Sequence, residues 1–217
     1  MRVFVGFFLF FVVNAIASKA QFINDIRGRP VTTLQYENLS GSPFYSDKYL
    51  KGTVNIKGNI KVIQVYLKLD QVKDILLAKN NLTSETPIEI TDDVLNFKLI
   101  GAEGDTTMFK RVPNGDGYYE VLYNGKTSLL KRTKKKILET PVYNSAAIEK
   151  SAVSTISYFI LTKEGKLVPI KLDKNSFLSA LDKDKVKDIE QYVSKEKLGF
   201  KNELNLKKIT GYYNTLN

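Results

Sequence analysis

Between about Thr32 and Lys171 apolar and polar positions alternate with a period of two, and Gly, Pro, Asn and Asp break the alternation at short intervals. Val65, Leu67 and Leu69 fall on one side of an extended segment, with Gln64, Tyr66 and Lys68 on the other. That is the mark of a half-buried strand. The same pattern predicts strands over 53–56, 60–69, 75–78, 87–90, 97–100, 108–112, 118–123, 127–137, 155–161 and 167–170. Gly58-Asn59, Asn80-Asn81, the run Pro113-Asn114-Gly115-Asp116-Gly117 and Glu164-Gly165 supply the turns. Asn124-Gly125 sits between two strand runs and predicts a tight hairpin with both turn residues at positive φ. Residues 140–151 give no clear period.

After Lys171 the period becomes helical. Ser176 can cap a short helix through Ala180. Asp182 or Asp184 opens a second, with Val186, Ile189, Tyr192 and Val193 on one side and Gly199 as its terminator. Asn202 can cap a third, turning Leu204, Ile209, Tyr212 or Tyr213, and Leu216 inward. Strands followed by segregated helices give an α+β class: a strand-rich antiparallel body over residues 32–171, then two or three short C-terminal helices.

The first residues, MRVFVGFFLFFVVNAIASKAQ, change where this fold is expected to reside. Arg2 precedes an apolar run from Val3 to Val13, and Ser18-Lys19-Ala20 places small residues before Gln21. This predicts a signal peptide over residues 1–20, since the run is shorter than the roughly 20 residues a span needs. The expected organisation is therefore a signal segment (1–20), a β-rich domain (21–171) and a helical segment (172–217) packed on or beside it. No later segment reads as a transmembrane helix. The protein is expected to be exported: periplasmic, outer-membrane-associated or extracellular.

There is no Cys and no His. Disulfides are excluded, as are zinc, copper, haem and iron–sulfur sites of the usual kinds. Ser-His-Asp and Cys-His catalysis are excluded with them. Paired carboxylates, a Ser–Lys pair, Tyr, or a hard cation held by oxygens remain. Charge is uneven: residues 21–120 carry 12 Lys and Arg against 13 Asp and Glu, and residues 121–217 carry 19 against 10. A basic half on an exported chain points to an acidic neighbour, an anionic envelope component or an acidic protein face. Export argues against nucleic acid.

Gly125-Lys126-Thr127 echoes the end of a phosphate-binding loop, but Glu120 stands where the motif needs Gly, and a strand follows instead of a helix. Lys131, Arg132, Lys134, Lys135 and Lys136 form the densest basic run and the candidate anion contact. On a strand they fall on both faces, and unpaired buried charge is costly. So past Leu130 the strand is expected to leave the sheet or run along an edge, where lysines also deter aggregation. Asp92-Asp93, Asp70 with Asp74, and Glu103 with Asp105 are the nearest carboxylate pairs. Asn114 to Gly117 and Asp182, Asp184 and Asp188 are weak calcium candidates. None of these singles out a catalytic residue, a metal or a cofactor.

Three stretches carry a resemblance: YENLSGSPFYSDKYLKGTV, YYEVLYNGKTSLLKR, and the tail KLDKNSFLSAL…IEQYVSKEKLGF…GYYNTL. Through them the chain resembles uncharacterised exported proteins of Bacteroidota over most of its mature length. The resemblance implies export, a strand-rich body and a helical tail, and carries no catalytic residue. It also makes Asp105-Thr106-Thr107 a candidate O-glycosylation signal, with Thr106 as acceptor. The expected function is a non-enzymatic binding or envelope-associated module whose basic half meets an acidic partner. The alternative is a glycan or peptide hydrolase using carboxylates or a Ser–Lys pair.

Overall fold

The computed structural model describes residues 28–30, 36–58, 63–83, 86–91, 93–143 and 147–216. The expected signal segment lies outside these residues, as does Asp92. Two short pieces, β1 (Gly28–Pro30) and β2 (Leu39–Ser40), precede a meander of β3 (Leu50–Ile56), β4 (Ile63–Asp70), β5 (Ile75–Lys79) and β6 (Ile88–Ile90). Then come β7 (Val94–Ile100), β8 (Thr106–Lys110), β9 (Tyr119–Tyr123), β10 (Ser128–Pro141), β11 (Ile148–Leu161) and β12 (Leu167–Ile170). All twelve join one sheet in the order β1-β6-β5-β4-β3-β7-β8-β9-β10-β11-β12, with β2 parallel to β11 and every other pairing antiparallel. Local hairpins build most of this order. The exceptions are β1 beside β6, β2 beside β11, and the link from β6 to β7, which carries the chain to the free side of β3.

The inward residues of β3 to β8 gather into one core. Val54, Val65, Leu67, Leu69, Leu76, Phe97, Leu99 and Phe109 are all buried there. Phe97 stacks on Phe109 with ring centroids 4.9 Å apart and meets the edge of Tyr118 at 5.0 Å.

A second core lies between the other end of the sheet and three helices, α1 (Lys174–Ser179), α2 (Val186–Lys195) and α3 (Glu203–Thr215). Phe177, Ile189, Leu206 and Ile209 are fully buried against Leu129 and Ile160. Each such side chain stabilises the docking by about 1.5–3 kcal/mol. Asn202 caps α3 by accepting the Asn205 N–H. The cap of α1 is Asp173, which accepts the Ser176 N–H, and not Ser176. Helix α2 ends at Lys195, before Gly199, and Lys197 takes the left-handed turn (φ 52°). Leu204 is exposed, and Leu206, Ile209, Thr210 and Tyr213 form the buried stripe of α3. No described helix is long and apolar enough to cross a membrane.

Two elements are longer than their patterns predict. β10 and β11 pair residue for residue from Ser128↔Leu161 to Pro141↔Ile148. Strand β9 covers only Leu129–Lys131 of β10, and β12 covers only Tyr158–Leu161 of β11. Beyond those contacts the pair extends as an arm, with β2 laid along Lys150 and Ser151.

Candidate functional site

The basic run lies on β10 where the arm leaves the sheet, and its five cations have different surroundings. Alternation places Lys131 and Lys135 on one face and Arg132, Lys134 and Lys136 on the other. The Lys131 ammonium is 2.9 Å from Glu203 at the start of α3 and 3.8 Å from Glu120 of β9. Lys135 donates to the carbonyls of Ser42 (2.9 Å) and Phe44 (2.6 Å), and its backbone N–H bonds Gln71 O. These two lysines bind parts of the protein to the base of the arm, while Ser154 and Ile156 on the same face stay exposed.

Arg132 is buried, against the expectation of a solvated run, because its charge is paired. Nη1 donates to Asp74 Oδ1 (2.8 Å) and to Tyr118 O (3.2 Å), and Nη2 bonds Asp74 Oδ2. The guanidinium lies over the Tyr119 ring, 5.6 Å from its centroid. Gly117 makes room for this pair. It has φ +69°, and a Cβ there would lie 2.6 Å from Arg132 Nη2.

The face that stays open carries Lys134 and Lys136, both exposed. Their cross-strand partners are Thr155 and Val153, with Ser157 and Phe159 nearer the root. Asp116, Arg132, Lys134, Lys136, Thr155 and Phe159 are among the residues lining a groove of about 310 Å³. Arg132 Nε is buried without a hydrogen-bond partner, and Asp116 Oδ1 stands 3.8 Å from it. Asp116 also pairs loosely with Lys134 at 3.5 Å. Its slight burial opposes ionisation, but Arg132 and the Tyr119 hydroxyl outweigh that and hold its carboxyl below the usual value.

Lys131 also joins two carboxyls whose environments differ in sign. Burial pushes Glu120 up. Burial also opposes the charge of Glu203, but hydrogen bonds from Lys131 and the Tyr158 hydroxyl outweigh it and hold Glu203 low. A depressed carboxyl stabilises the fold above its unfolded pKa, and that stability is lost as pH falls through the folded value. A raised one penalises the fold progressively as pH rises above its unfolded value, in full above the folded one. Glu203→Gln should therefore cost roughly 1 kcal/mol at about pH 7, a small figure for a partly exposed group, and less at about pH 3. Glu120→Gln should raise stability at neutral pH and leave it unchanged in acid. Thermal melts at the two pH values check both signs, and equal effects of the two substitutions at neutral pH would contradict this assignment.

Several of the residues named as candidates for hydrolysis have structural partners. Lys110 Nζ stands 3.4 Å from Ser128 Oγ, and burial lowers the Lys110 pKa. Ser128 is 2% exposed, and its hydroxyl bonds both the N–H and the carbonyl of Gly125, which closes it to a substrate. Asp70 accepts the Val72 and Lys73 N–H groups and the Tyr36 hydroxyl, whereas Asp74 turns to Arg132. Glu103 and Asp105 are exposed on the β7–β8 turn. Asp182 accepts from the Tyr213 hydroxyl and Lys163. Among the described residues no three acids converge on a common point. Thr106 is exposed at the start of β8, while the neighbouring Thr107 hydroxyl bonds Tyr45.

The phosphate-loop echo resolves here as well. The hairpin joins β9 to β10 as expected, but neither Asn124 nor Gly125 has positive φ. The link is four residues, and Gly125 is needed for close approach: a Cβ would lie 2.6 Å from Asn214 Oδ1. Asn214 of α3 accepts the Thr127 N–H (2.9 Å) and donates to Thr127 O (2.8 Å). The backbone that would face a phosphate is thus taken by a helix of the same chain.

The cations, Asp74 and Asp116 are all named from the sequence, but not the pairing of the two acids with Arg132, nor the Thr155–Phe159 wall that the pairing of β10 with β11 brings alongside. The one signal available was the density of lysines on both faces, which implied that something other than a core lay beyond Leu130. No family model, no curated protein and no solved structure matches this chain.

Proposed function

We propose that the protein is a non-enzymatic, exported binding module of the cell envelope, and that an acidic partner is received on the open face of the β10–β11 arm. The observation that carries this reading is the division of the basic run. Lys131, Arg132 and Lys135 are committed to Glu203, Asp74 and backbone carbonyls, while Lys134 and Lys136 stay exposed beside a groove. The hydroxyl groups of Thr155 and Ser157 and the ring of Phe159 give the groove polar and apolar contacts next to the charge. The basic balance of residues 121–217 would draw an anionic surface toward the same half of the molecule. The signal-peptide pattern expected over residues 1–20 and the resemblance to exported proteins favour the envelope as the compartment.

The test is retention on an immobilised polyanion and on lipopolysaccharide. Binding should be clear at about 0.02 M salt and lost by about 0.5 M, as screening shortens the Debye length. Lys134→Gln with Lys136→Gln should weaken it about tenfold, since rim charges act mainly on encounter and attraction. The same charge change on α2, Lys187→Gln with Lys195→Gln, should do much less. Equal losses from the two pairs would mean that net charge alone is responsible, and absence of binding at low salt would end the proposal.

A further inference from the structure

We infer that the acidic partner is an anionic lipid surface, and that the end of the β10–β11 arm settles into it. This rests on the acidic-partner reading and deepens it.

Toward its end the described residues of the arm include exposed apolar side chains. Leu138 is 46% exposed, Tyr143 91%, Ile148 58% and Val153 38%. They do not share one face. Val153 lies opposite Lys136, and with Leu138 it belongs to the open face that carries the lysines. Ile148 lies opposite Pro141 and belongs to the other face. A protein docked against a sheet covers one face of it. Apolar groups on both faces and at the end are removed from water together only by a medium that surrounds the arm, and the apolar margin of a bilayer does this.

The charges behind the tip fit that medium. Between residues 134 and 153 there are four lysines and two glutamates. Lys134 and Lys136 stand on the arm behind Leu138, where long stems can run along apolar surface while the ammonium groups meet lipid phosphates. The Glu139–Lys150 ion pair, 3.5 Å apart near the tip, sets a limit on depth. Charges of this kind are not carried into hydrocarbon, so the tip rests at the level of the headgroups and the first acyl carbons, about 5–10 Å in.

The chain has no Trp, so Tyr143→Trp creates a single indole at the tip. The variant is mixed with vesicles of phosphatidylcholine and phosphatidylglycerol, and with vesicles of phosphatidylcholine alone. The expected result is co-sedimentation with the anionic vesicles, blue-shifted emission, quenching by brominated acyl chains, and none of these with the neutral vesicles. Changing Leu138, Tyr143 and Ile148 together to Ser should lower vesicle affinity about tenfold or more while leaving polyanion retention intact. All three are exposed, so the melting temperature should not fall. Vesicle binding with unshifted emission and an unaffected triple variant would overturn insertion and leave a purely electrostatic contact. Polyanion retention without vesicle binding would overturn the lipid assignment while the acidic-partner reading stands. Failure of both would remove the two together.

Discussion

Arg132→Met should lower unfolding stability by about 3 kcal/mol, the cost of breaking a buried ion pair from one side. Asp74, in the turn between β4 and β5, would keep its carboxylate without the guanidinium it faces. The Tyr118 carbonyl would lose a donor, and the Tyr119 ring a cation. The pair joins strands of the first core to the base of the arm, so its loss should loosen both. The charge left behind, and not lost packing, is the dominant cost. Arg132→Met combined with Asp74→Asn should therefore recover more than half of the loss. Asn suits that position, because Asp74 has φ 58° and Asn tolerates the left-handed region. Urea unfolding of the two singles and the double gives the answer. If the double is as unstable as the sum of the singles, the ion pair is not what secures Arg132.

Asn214→Leu should cost about 3 kcal/mol by leaving the N–H and carbonyl of Thr127 buried and unpaired, at about 1–3 kcal/mol for each group. Thr127 is 3% exposed, so water does not readily replace the lost partner. Asn214→Asp should not rescue it. The carboxylate would still accept the Thr127 N–H, but its second oxygen would face Thr127 O where the amide now donates. A wild-type melting point for Asn214→Asp would show that the docking of α3 on the hairpin rests on packing alone.

The body of the fold was legible because its strands have one wet and one dry face. In β4 the period of two follows Val65, Leu67 and Leu69 into the core, and in α3 the Asn202 cap marks the helix start. The arm was not legible from residue 140 to 151, because most of those positions are exposed in the structure and no core imposes a period on them. The burial of Arg132 was hidden for another reason. Its partner Asp74 is 58 residues away in sequence and reaches it from a turn. Gly125 illustrates how one residue supports two readings: Asn-Gly suggested positive φ, yet the glycine is required by the approach of Asn214. Leu204 shows the limit of helical periodicity at a first turn, where Glu203 beside it ties the helix to Lys131 while Leu204 faces water.

In the proposed function the open face of the arm, and not the basic half at large, meets the acidic partner. Hydrogen–deuterium exchange with and without a saturating polyanion or anionic vesicle tests it directly. New protection is expected over residues 132–138 and 153–159, with the amides of α2 and of strands β3 to β6 unchanged. Protection spread over α2 and α3, or confined to the β3–β6 end of the sheet, would contradict it.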